Sequence, residues 1–146
     1  MKKLVFVLTI MFFGYSAFAQ NTGKHLSNYL AVKNALVSSD SKAAARAAVI
    51  FQQGLKEDQN FAQKNDLLKA TDLISQAGSI DKQRAAFNDL SKIIWKVLKS
   101  SDKAGEPVYY QYCPMKKAYW LSKEKEIKNP YYGAAMLTCG SVVETQ

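Results

Sequence analysis

The chain has 146 residues, enough for one domain with its own core and too few for two ordinary ones. Its hydrophobic content of 48% excludes a disordered polymer. Its net charge of +8 falls to +6 without Lys2 and Lys3, and the rest of the basic charge is interspersed with acids: seven Lys against five Asp or Glu from Lys99 onward. Only Arg46 and Arg84 offer guanidinium forks, so the composition argues against nucleic acid as a partner.

In chain order, Lys2 and Lys3 precede an apolar run over residues 4–13, and Ala17-Phe18-Ala19 forms a small-x-small cleavage pattern. This predicts a cleaved signal peptide over residues 1–19. Position 20 is Gln20 rather than a lipid-accepting Cys, so the expectation is an unanchored periplasmic or secreted chain with no transmembrane segment after cleavage.

Residues 20–100 read as helices, and residues 101–146 as a cap of the same domain. Leu26, Tyr29, Leu30 and Leu36 mark a first helix over 24–37. Ser38-Ser39-Asp40-Ser41 breaks it and caps a second, alanine-rich helix with Val49, Phe51 and Leu55 on its inner face. A third carries Phe61, Leu67, Leu68, Leu73 and Ile74, with Gly78 expected as a left-handed C-cap. Ser79 or Asp81 opens a fourth, striped by Phe87, Leu90, Ile94 and Val97 and widened by Ile93 and Trp95. Short connections between amphipathic helices make antiparallel neighbours. The fold class is therefore mainly α: an antiparallel four-helix bundle with a small, largely irregular C-terminal Cys/Tyr-rich cap. A short β-ribbon is expected in that cap, pairing residues 108–112 with residues 137–143.

Catalytic groups are sparse. The single histidine, His25, reads as a solvated residue at a helix start. Gly-rich phosphate loops, nucleophile elbows and His-Glu-x-x-His pairs are missing from the sequence, so the expectation is a protein that is not an enzyme. The notable side chains are sulfur-bearing. Cys113, Met115, Met136 and Cys139 fall in two short segments, and both methionines beyond the leader lie within three residues of a cysteine. Thiolates and thioethers select Cu(I) or Ag(I) over hard cations. In an extended segment Cys113 and Met115 face the same way, and Met136 and Cys139 are one helical turn apart. Trp120 and Tyr112 would shield such an ion. Zinc fits less well, with two thiolates and no histidine nearby. The competing reading is a Cys113–Cys139 disulfide, closing a 27-residue loop worth roughly 3–4 kcal/mol in an oxidising compartment. The tyrosines of the cap allow a further reading as an exposed aromatic docking surface.

The cap also carries a long motif: Val108-Tyr109-Tyr110-Gln111-Tyr112-Cys113-Pro114-Met115, Trp120-Leu121-Ser122, Asn129-Pro130-Tyr131-Tyr132-Gly133 and Met136-Leu137-Thr138-Cys139-Gly140. Together with Gln83-Arg84, Phe87 and Leu90-Ser91 it resembles an uncharacterised secreted domain common in Bacteroidetes-type bacteria. Members of that family also occur appended to periplasmic adaptor subunits of copper and silver efflux systems. The resemblance implies a periplasmic role near soft-metal handling, with a heavy-metal efflux adaptor or another periplasmic protein as partner. With it, the leading expectation is a Cu(I)- or Ag(I)-binding protein using Cys113, Met115, Met136 and Cys139. The alternative is a protein-interaction domain stapled by the disulfide.

Overall fold

A computed structural model describes residues 21–59, 61, 63–101 and 105–146. The signal peptide and cleavage site expected at residues 1–19 lie outside them. Four helices come first: α1 (residues 21–37), α2 (Ser41–Glu57), α3 (Lys64–Gln76) and α4 (Ile80–Ser100). Three strands follow, β1 (Tyr109–Cys113), β2 (Ala118–Ser122) and β3 (Ser141–Thr145), with a 3-10 turn at Gly133–Met136. Among the described residues, no helix is long and apolar enough to cross a membrane.

The helices start where their caps dictate. Asp40 accepts the Ala43 amide at 2.8 Å and opens α2, and Ser79 accepts from Lys82 and opens α4. Each satisfies a first-turn donor that the helix leaves without an internal partner. Lys24 at the start of α1 pairs with Glu57 at the end of α2. Gln83 at the start of α4 donates to Ile74 near the end of α3. The first contact sets α1 and α2 antiparallel, and the second closes the short link between α3 and α4. Leu26, Tyr29, Val32, Leu36, Phe51, Leu55, Leu67, Ile74, Phe87, Leu90 and Ile94 form the core.

Several details differ from the sequence expectation. Leu73 and Val49 are exposed, because the buried stripe of α3 runs through Leu67, Ala70, Thr71 and Ile74, and that of α2 through Ala44, Ala48, Phe51 and Leu55. Thr71 fits that stripe by donating its hydroxyl to the Leu67 carbonyl. Gly78 is not the left-handed cap of α3, since the chain leaves the helix extended at Ala77 (φ −65°, ψ 127°) and runs directly into the Ser79 cap. His25 is buried rather than solvated. Its Nε2 lies 3.1 Å from Asp58 Oδ2, and its ring lies 4.2 Å from that of Phe61 and 5.9 Å from that of Phe51.

The expected ribbon is part of a three-stranded antiparallel sheet, ordered β2-β1-β3. β1 pairs with β3 at Ser141–Thr145, later than the expected 137–143 because the chain still turns at 137–138 and is irregular to 140, and also with β2 through a hairpin where irregular chain was expected. On one face, Trp95 of α4 stacks on Tyr110 (4.6 Å), Tyr110 on Tyr119 (4.9 Å), and Tyr119 meets Tyr112 (4.5 Å). Each such pair contributes about 0.5–1.5 kcal/mol beyond its buried area. Asn88 of α4 accepts the Tyr119 amide at 2.9 Å. The Tyr29 hydroxyl of α1 joins Ser91 of α4 (2.7 Å) to the Leu121 amide of β2 (3.0 Å). The tyrosines of the cap are thus its own packing and its seam with the bundle, not an exposed docking surface. Each is buried or half-buried.

Candidate functional site

β1 alternates, so Tyr110 and Tyr112 face the bundle while Gln111 and Cys113 face the other way. The segment from Lys123 to Gly140 folds over that second face. Gln111 holds it by donating its amide to the carbonyls of Glu124 and Lys125, at 3.0 and 3.3 Å. This covering brings the end of the segment onto the end of β1. Cys113 Sγ and Cys139 Sγ lie 3.5 Å apart. Both are free thiols, and a covalent disulfide would need about 2.05 Å, so the expected staple is not formed in this structure.

The two thiols differ in their surroundings. Cys113 is fully buried, the last residue of β1 before the turn at residues 114–117. Burial pushes its pKa up, but the amides of Lys116 and Met115, the Asn129 side chain and the Cys139 thiol outweigh this and bring it below the ordinary thiol value. Cys139 is half-exposed. Its contact with Cys113, and then burial, raise its pKa. Either sulfur can donate in the contact between them, and the two opposite shifts favour Cys139 as the donor.

Asn129 organises both cysteine segments and was not singled out by the sequence reading. It is fully buried. Its side-chain amide donates to the Cys139 carbonyl at 2.7 Å and its backbone amide to Leu137 at 2.8 Å. Its side-chain oxygen accepts from Tyr131 at 2.8 Å, and its carbonyl accepts from Gly133 at 3.0 Å. Arg84 anchors the next residue, donating from Nε to the Pro130 carbonyl at 2.8 Å and from a terminal nitrogen to Leu36 and Ser39 at the end of α1. Gly133 (φ +57°) passes so close to that helix end that a Cβ would fall 2.9 Å from the Val37 carbonyl oxygen. A sequence reader sees a turn-former in Asn129-Pro130. The carbonyls that it holds become visible only in the fold.

The other predicted residues are placed as follows. Met115 lies in the turn after Cys113, not in an extended segment. Pro114 and the turn end the strand, and the Met115 side chain is 62% exposed instead of aligned with Cys113. Met136 ends the 3-10 turn, half-buried, and its carbonyl accepts the Cys139 amide at 3.1 Å. Trp120 is fully buried on the same face as Cys113, two register positions along the hairpin. Its ring edge lies against Gly140, where a Cβ would come within 2.7 Å of it. Tyr112 points to the bundle face and packs on Tyr119, so strand alternation takes its ring away from the thiols. Among the described residues, no group of three or more His, Cys, Asp or Glu side chains is arranged to hold a metal ion. The local donor set is thus sulfur, with no carboxylate or imidazole added to it.

No curated protein and no solved structure matches the chain. One family does, a protein family of unknown function (DUF3347), over residues 26–105, which takes in the bundle and stops short of the cysteine-bearing cap. That stretch is more than half of the chain, and the protein belongs to the DUF3347 family.

Proposed function

We propose that the cap binds a soft monovalent ion, Cu(I) or Ag(I), between Cys113 and Cys139, in an exported protein that serves metal efflux or homeostasis. The observation that carries this reading is the pair of free sulfurs 3.5 Å apart. Metal–sulfur bonds of about 2.3 Å place two thiolates on one ion roughly 3.8–4.6 Å apart, from tetrahedral to linear, so the pair needs to open by up to about 1 Å. Thiolate donors without oxygen or nitrogen partners favour soft cations. The hydrogen bonds to Cys113 favour its thiolate, the form a metal requires. Asn129 fixes the backbone of the second cysteine by donating to the Cys139 carbonyl.

The thioethers take an outer role. Met136 is tied to Cys139 through the backbone, and Met115 is exposed in the turn two residues after Cys113. A binding role, rather than catalysis, is supported by the burial of the sole histidine, His25, against the rings of Phe51 and Phe61, out of reach of a substrate. Placement beside a periplasmic efflux adaptor is supported by the resemblance of the cap motif.

An anaerobic Cu(I) competition titration of the reduced protein against a colorimetric chelator tests this. The wild type is expected to retain one equivalent. Cys113→Ser and Cys139→Ser each lose it, while Met115→Leu and Met136→Leu weaken it by an order of magnitude or less. Equal retention by either cysteine variant overturns the assignment.

A further inference from the structure

We infer that the Cys113–Cys139 pair carries out thiol–disulfide exchange with small-molecule disulfides, Cys139 making the entry attack and Cys113 resolving the adduct. The order follows from access. An external disulfide cannot reach Cys113, which has 0% exposure. Cys139 is half-exposed, in the irregular stretch between the 3-10 turn and β3. Once Cys139 carries the adduct, Cys113 Sγ lies next to the sulfur that it must attack. Their 3.5 Å separation is within the range of a near-attack arrangement.

The second step asks the sulfurs to close by about 1.5 Å to reach disulfide length. Cys113 is fixed in the strand that pairs on both sides, so the movement falls to the Cys139 segment.

The steps balance. Cys139 gives its proton to a base in solution as its sulfur attacks one sulfur of a disulfide RSSR, a mixed disulfide forms, and one RS− leaves. Cys113 then attacks Cys139 Sγ, the mixed bond breaks, and the second RS− leaves. The two cysteines are oxidised to one disulfide, RSSR is reduced to two RSH, and the two cysteine protons end on the departing thiolates. Closure consumes both sulfurs, so under the soft-metal reading the oxidised cap is unable to hold the ion. The exchange itself rests on thiol geometry alone and requires no metal.

The test uses the reduced, chelator-treated protein with oxidised glutathione, quenched by acid and read by mass spectrometry and peptide mapping. The wild type is expected to lose two hydrogens, with any transient adduct mapping to Cys139. Cys113→Ser accumulates a lasting single glutathione adduct at Cys139. Cys139→Ser stays unmodified, or reacts an order of magnitude more slowly. A lasting adduct on the wild type, an adduct mapping to Cys113, or equally fast reaction of Cys139→Ser overturns the inference. Because wild-type mapping alone reports the entry sulfur, a variant that folds poorly does not decide the outcome. The protein is metal-free throughout, so failure here leaves the Cu(I) titration standing, and failure of the titration leaves the exchange standing.

Discussion

At the scale of single residues, Asn129 bears most directly on the thiol pair. Its replacement by Ala strips partners from the carbonyl of Cys139 and the amide of Tyr131 in a buried site. Each orphaned buried group costs about 1–3 kcal/mol. Urea unfolding of Asn129→Ala is expected to show a loss of about 2–4 kcal/mol. Cu(I) retention should weaken with it even at temperatures where the variant is folded. Gly140→Ala makes a sharper local test. Gly140 has φ +147°, and a Cβ there would lie 2.7 Å from Trp120 and 2.9 Å from the Tyr112 carbonyl oxygen. Of these site residues, the cysteines were legible in the sequence because each falls within three residues of a methionine in a short segment. Met115 was misplaced because a spacing of two aligns side chains only while the strand continues, and Pro114 begins a turn.

Among the elements, the four helices were legible because caps and apolar stripes are local signals. Asp40 and Ser79 each bond an amide three residues away. β2 was not, because Ala118-Tyr119-Trp120-Leu121-Ser122 is covered on both faces and lacks the alternation that marks a half-exposed strand. The aromatic stack from Trp95 to Tyr112 is likewise a product of tertiary contact. At the other edge of the sheet, β3 is tied to α4 by Glu144, which accepts from Lys99 at 2.6 Å and from Trp95 Nε1 at 3.3 Å. The Lys99 hydrogen bond holds the Glu144 carboxyl below its ordinary value. A depressed folded-state pKa stabilises above the unfolded value and is lost as pH falls through the folded one. Glu144→Gln is therefore expected to lower the melting temperature slightly at neutral pH, with the gap from the wild type closing as pH falls below about 4.5, as read by thermal melts across pH.

For the whole molecule, the bundle and the cap share one seam, and Tyr29 sits in it. Its hydroxyl joins α1, α4 and β2, so the cap cannot detach without unpairing groups inside the bundle. Tyr29→Phe is expected to cost about 1–3 kcal/mol and to leave a single unfolding transition. Burial holds the phenols of Tyr29, Tyr110 and Tyr131 above their ordinary value of 10.0. The unfolded chain releases these protons first, so stability falls as pH rises above about 10. Phenolate absorbance of these rings should then appear together with unfolding rather than ahead of it. Family membership rests on the bundle and the proposed chemistry on the cap, so the metal claim must be tested at the sulfurs themselves. The most direct measurement is X-ray absorption at the copper edge on reduced, Cu(I)-loaded protein. We expect a shell of two or three sulfur scatterers at about 2.3 Å with no lighter ligand. A nitrogen or oxygen shell, or an unchanged spectrum from the Cys113→Ser, Cys139→Ser double variant, would contradict the account.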